Sequence, residues 1–113
     1  MTRIAAVLCF VAVALGAFGA HWLRPLLEKN GMLEVWNKAV LYHFLHAVAL
    51  LALALYGSAN RGVCWLLIAG IFLFSGSLYL MALTNIRPLG AITPLGGVCF
   101  LAGWLWLAIS PSR

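Results

Sequence analysis

Charge is what this chain has least of. Nine of its 113 residues are Asp, Glu, Lys or Arg, and two of the nine, Glu28 and Glu34, are acidic. A soluble domain carries about 25% charged residues, so a chain with 8% cannot clothe a water-facing surface. The basic residues stand singly, and no Lys/Arg run exists to follow a phosphate backbone. The net charge of +5 is therefore no nucleic-acid signature. Neither carboxylate falls inside an apolar stretch, which removes the partner that an intramembrane proton relay or a nucleophile–base–carboxylate set would use. The three cysteines, Cys9, Cys64 and Cys99, are an odd number in three different stretches, which argues against a disulfide framework. They read as buried thiols acting as small apolar side chains. A copper(I) site built across helices is the sharper and less favoured alternative.

What is there is hydrophobic length. Removing the charged residues leaves Ile4–Leu23, Ala39–Asn60, Gly62–Ile86 and Pro88–Ser112, of 20, 22, 25 and 25 residues. A helix needs about 20 mostly apolar residues to cross a hydrocarbon core of about 30 Å. With 65% hydrophobic residues and a mean hydropathy of +1.08, the fold expected is an all-α integral membrane protein. It is a single four-transmembrane-helix bundle over residues 1–113, with short turns and one longer interfacial loop. The expected spans are about 4–22, 36–56, 63–83 and 92–109. The first run, with Arg3 before it and small residues around Ala17-Phe18-Gly19, imitates a signal peptide. Its length and the three spans that follow make it a retained first helix.

Residues Arg24 to Lys38 mix charged and apolar side chains, as an amphipathic segment at headgroup depth would. Pro25 ends the first helix or opens a short interfacial one, and Asn30-Gly31 is a turn or helix stop. Glu34 and Lys38 have the favourable i,i+4 order, so the second helix begins near Met32. Trp22 and Trp36 flank this loop, and Trp65, Trp104 and Trp106 fall near the opposite face, the pattern of an aromatic belt. Phe72, Phe74 and Phe100 read as lipid-facing or core packing. Arg3, Arg61 and Arg113 on one face oppose Arg24, Lys29, Lys38 and Arg87 on the other, three against four, which barely decides orientation. Both termini inside is the side taken. Helix packing is expected at Ala12, Gly16, Gly19, Gly76, Gly96 and Gly97, where small residues let backbones approach in lipid.

The motifs with chemistry are Gly16-Ala17-Phe18-Gly19-Ala20-His21, Tyr42 with His43 and His46, Phe74-Ser75-Gly76-Ser77-Leu78-Tyr79, and Thr93-Pro94-Leu95-Gly96-Gly97 followed by Gly103-Trp104. Together and in this order they closely resemble domain-of-unknown-function family 423, also catalogued as uncharacterised inner-membrane protein family 382 (transmembrane protein 256-like). The resemblance covers nearly the whole chain. It implies an integral, multi-pass protein of the bacterial inner membrane and no particular activity. It also implies that His46 matches the family pattern, while His43 replaces a polar residue such as Gln.

Alternating the helix directions sets the depth of each polar side chain. His21 and Thr93 lie at the face of the first and third loops. Tyr42 and His43 lie one to two turns below it at 1.5 Å per residue. His46, Ser75, Ser77 and Tyr79 lie at or above mid-membrane on the same side. Polar groups in lipid must bond one another, so two readings stand side by side. In one the groups glue the bundle, with Tyr79 or Ser75 bonded to His46. In the other His21, Tyr42, His43, His46, Ser75, Ser77, Tyr79 and Thr93 line a cleft for a lipid headgroup, quinone or small polar ligand. Metal or haem held by His21, His43 and His46 ranks below both, and no metal site is assigned. A phosphate at the start of the fourth helix is the alternative to close packing at Gly96-Gly97. The function expected is a non-enzymatic accessory or scaffold protein that binds a lipid, small ligand or partner around His46. Its partners are the lipid bilayer and a second membrane protein or another copy of the chain, with no nucleic acid. A small oligomeric transporter or channel is the alternative.

Overall fold

The computed structural model describes residues 1–57 and 60–109. Among them the chain forms α1 (Thr2–Ala20), α2 (Arg24–Asn30), α3 (Leu33–Tyr56), α4 (Arg61–Gly70), α5 (Gly76–Thr84) and α6 (Thr93–Ile109), and no strand. A π-helical turn, Ile71–Ser75, joins α4 to α5 without a break. A 3-10 turn, Arg87–Ala91, leads into α6. Four segments are long and apolar enough to cross a membrane: α1, α3, the combined α4–α5 helix, and the 3-10 turn with α6. The protein is a four-span, all-α membrane protein.

Local chemistry sets the ends. The Asn60 side chain accepts the Gly62 N–H at 2.7 Å and so caps α4. Gly31 and Gly57 close α2 and α3 with φ of 68° and 79°, a left-handed turn that a side chain resists. Pro25 stands in the first turn of α2, where its missing N–H costs nothing. The first loop is thus half helix. Leu27 of α2 is fully buried beside Met32, Trp36 and Ala82, and Asn30 Nδ2 donates to the Ala82 carbonyl at 2.9 Å. This segment plugs one end of the bundle instead of lying free among headgroups. An Arg24–Glu28 ion pair at 3.8 Å forms on its exposed side.

The spans pack in sequence order. α1 lies on α3, α3 on the α4–α5 helix, and α4–α5 on α6, while α1 and α6 share no extensive contact. α6 also reaches α3 through Trp104 and Phe100, which meet His46, and the described residues measure 48 × 26 × 15 Å. One core, around Leu50, Leu67 and Phe100, serves the second-loop end, and the Leu27–Trp36 cluster serves the other.

Glycine notches filled by rings or backbone hold the bundle together. Between α1 and α3, Gly19 receives the Trp36 indole and Gly16 lies against Val40. Between α4–α5 and α6, Gly70 receives the Phe100 ring, Gly62 receives the Trp106 ring, and Gly96 seats the backbone of Phe74. Without a hydrophobic drive between helices in lipid, such close contact is what associates them. Two of the expected packing glycines do not act this way. A Cβ on Gly76 or Gly97 would meet nothing within 4 Å, because each faces outward from the bundle. Trp36 corrects the expected aromatic belt. It is 1% exposed and is the largest fully buried side chain, whereas Trp22 is 78% exposed.

Gly96→Ala, which would drive a Cβ into the Phe74 backbone, is expected to lower stability by about 1–3 kcal/mol. Gly97→Ala, with open space at its Cβ, is expected to be neutral or to stabilise by up to about 1 kcal/mol through helix propensity. Thermal melting of both variants in detergent checks this, and equal losses would overturn the notch assignment.

Candidate functional site: a polar layer inside the bundle

The polar side chains within the spans meet as pairs. His46 is buried in the middle of α3. Its Nδ1 lies 2.7 Å from the Tyr42 carbonyl one turn earlier, and its Nε2 accepts the Trp104 indole N–H at 3.0 Å. An indole can only donate and a carbonyl can only accept. The His46 proton therefore sits on Nδ1 and the ring is neutral. Phe100 stacks on one face of this imidazole at 3.6 Å between centroids and 12° between planes. The Tyr42 ring runs nearly parallel to it at 6.3 Å and 11°.

His43 turns to the other side of α3. Its Nδ1 meets the Tyr79 hydroxyl at 2.8 Å. The Tyr79 ring packs on Trp36 at 4.8 Å, and Trp36 Nε1 donates to the Leu15 carbonyl of α1 at 3.0 Å. Leu8 precedes Leu15 by the same seven residues by which His43 follows Trp36, so the antiparallel register brings the Leu8 carbonyl opposite the His43 ring. No hydrogen bond of ordinary geometry closes there, and His43 Nε2 is buried without a partner among the described residues.

The third pair lies at the π turn. Ser75, fully buried, donates to the Ala39 carbonyl of α3 at 2.7 Å. Ser77 donates to the Phe74 carbonyl at 2.9 Å, so the Thr93 hydroxyl, 2.7 Å away, donates to Ser77. That bond ties the start of α6 to α5. A π turn widens the helix by one residue and occurs often at functional positions. Here it aims Ser75 at α3 and Ser77 at α6.

The expected partners are thus redistributed. Tyr79 bonds His43, Ser75 bonds α3 backbone, and His46 is held by Trp104. Tyr42 contributes its carbonyl and ring face to His46. His21 takes no part. It is exposed at the C-cap of α1, which parts it from the two buried histidines. Among the described residues no three His, Cys, Asp or Glu side chains come together in a metal-binding group. Cys64 is buried, and Cys9 and Cys99 are half-buried free thiols.

Trp104 and Trp36 are the participants that sequence reasoning placed only at the interfaces, and Phe100, read as lipid-facing or core packing, is buried core. The signal for Trp36 was its position two turns before His43 on one helix face. The signal for α6 was its buried stripe of Gly96, Phe100 and Gly103, with Trp104 at the margin. Grooves of about 530, 480, 360 and 300 Å³ mark the outer surface, and neither His43 nor His46 lines any of them.

Fold and layer define a small multi-span membrane protein whose embedded polar side chains, His43 Nε2 apart, bond one another or backbone carbonyls. A family model described as "Protein of unknown function (DUF423)" matches residues 15–97. Proteins named UPF0382 membrane protein are similar along most of the chain. That of Staphylococcus saprophyticus is 50% identical, covering 88% of this chain and 85% of its own. YwdK of Bacillus subtilis is 42% identical, covering 95% and 91%, and that of Staphylococcus haemolyticus is 47% identical, covering 95% and 90%. The chain belongs to this DUF423 (UPF0382) family of membrane proteins. No solved structure matches it.

Nitrogen-15 NMR of histidine-labelled protein is expected to show His46 as the neutral Nδ1–H tautomer. Trp104→Phe should shift its Nε2 resonance and cost about 0.6–2 kcal/mol in thermal melting. A His46 resonance of the Nε2–H form would overturn the assignment.

Proposed function

We propose that the protein is a non-enzymatic accessory or scaffold protein of the bacterial inner (plasma) membrane. Its polar layer fixes the bundle, and its outer helix faces bind lipid or a partner within the bilayer. The observation that carries this reading is the pairing of the layer: His43 with Tyr79, His46 with Trp104, Ser75 with the Ala39 carbonyl and Ser77 with Thr93. Side chains committed in this way act as ties between helices. The lipid-facing exposure supports the second half of the reading. Along α6, Leu95, Val98, Leu101, Leu105 and Ile109 are each at least 59% exposed, and along α1 so are Val7, Phe10 and Val13. α1 packs chiefly on α3 and α6 chiefly on the α4–α5 helix, so each keeps an outward side free of protein.

His46→Ala and Tyr79→Phe are then expected to lower the melting temperature and to weaken any complex that co-purifies in lipid nanodiscs, in the same order. Native mass spectrometry beside thermal melting reads both. Reconstituted protein is expected to leave the ion and small-solute permeability of liposomes unchanged. A solute flux that depends on protein would overturn the scaffold reading in favour of an oligomeric transporter or channel.

A further inference from the structure

The two acidic side chains lie on one membrane face, and one groove opens on the face that has none. Glu28 and Glu34, the two acidic side chains in the sequence, both belong to the first-loop end. The second-loop end holds Arg3 and Arg61 at the starts of α1 and α4, both exposed, with no Asp or Glu side chain to neutralise them. The ion pair of the opposite end, Arg24–Glu28, has no counterpart here among the described residues.

Arg3 stands at the mouth of a groove of about 300 Å³ between α1 and the α4–α5 helix, lined otherwise by Ile4, Val7, Leu8 and Phe72. The groove exists because α1 packs on α3 and makes no extensive contact with α4–α5. It descends from Arg3 to Leu8, about 8 Å along α1 at 1.5 Å per residue. Beyond it Phe72, 64% exposed at the π turn, forms the far wall. A guanidinium at headgroup depth above an apolar slot of this length is complementary to an amphiphile with a negative head and a hydrocarbon tail. An arginine fork bonds phosphate oxygens bidentately, and each basic residue near the surface attracts anionic lipid.

We infer that the groove between α1 and the α4–α5 helix binds an anionic phospholipid of the second-loop leaflet, its phosphate on Arg3 and an acyl chain against Val7, Leu8 and Phe72. This goes beyond the scaffold reading by naming a site and a ligand class, and it rests on the outer faces being lipid-contacting. The polar layer takes no part in it.

The test is native mass spectrometry of protein released from nanodiscs of equal parts phosphatidylglycerol and phosphatidylcholine. Wild type should retain phosphatidylglycerol in preference to phosphatidylcholine. Arg3→Gln should cut that retention about five-fold, the weight of one interfacial cation, and Val7→Trp should cut it by filling the slot. Arg61→Gln, which removes the same charge from the same face outside the groove, should retain it. Arg3 and Val7 are exposed, and a melting temperature equal to wild type certifies that each variant is folded. A variant that melts lower is replaced by Arg3→Ser or Val7→Phe. Equal losses in Arg3→Gln and Arg61→Gln would overturn the site in favour of diffuse surface charge, as would wild type without lipid preference. Either result leaves the scaffold reading standing, since that one fails on solute flux.

Discussion

Everything in this molecule depends on how closely two helix backbones can approach without water to drive them together. Lipid tails are as apolar as leucine, so contact must come from shape. The chain supplies shape by pairing an absent side chain with a large one. Trp36 enters the space at Gly19, Phe100 the space at Gly70, Trp106 that at Gly62, and the Phe74 backbone that at Gly96. The partners come from neighbouring spans, so each notch selects one neighbour. That fits the dominance of sequential span contacts and the lack of extensive contact between α1 and α6.

The polar layer follows from the same approach. Once Gly19 admits Trp36, the indole N–H reaches the Leu15 carbonyl, and Tyr79 finds Trp36 on one side and His43 on the other. Once Gly70 admits Phe100, the ring covers His46 and Trp104 comes within bonding distance. Packing and polar satisfaction are therefore one arrangement seen twice. Loss of a notch removes a hydrogen bond deep in hydrocarbon, where an unmade bond is costly.

The span count and the helical class were legible because they depend on hydrophobic length alone. The first helix ends where His21 and Trp22 leave it, and Pro25 opens α2 as proline at a helix start does. What was not legible is rotation about each helix axis. A depth estimate brings His46 near Tyr79 and Ser75, yet the rotation of α3 turns His43 to Tyr79 and His46 to α6. The π turn adds a further rotation that no pattern of apolar residues announces, and it decides the partners of Ser75 and Ser77. Trp36 was misplaced for a related reason. Indoles favour interfaces on average; Trp36 is drawn inward by a glycine notch, while Trp104 stays 44% exposed and turns its N–H to His46.

The bonding of His46 bears on what its proton can do. Its ring sits between an indole that holds its proton and a carbonyl that has none to give. A hydrogen-bonded chain conducts protons when each member can both take one and pass one on. Neither neighbour of this imidazole can, and Phe100 stacked on its face keeps that side dry. A titratable residue inside the bundle is thereby held as a neutral tie between α3 and α6, with no proton to pass on through these two bonds.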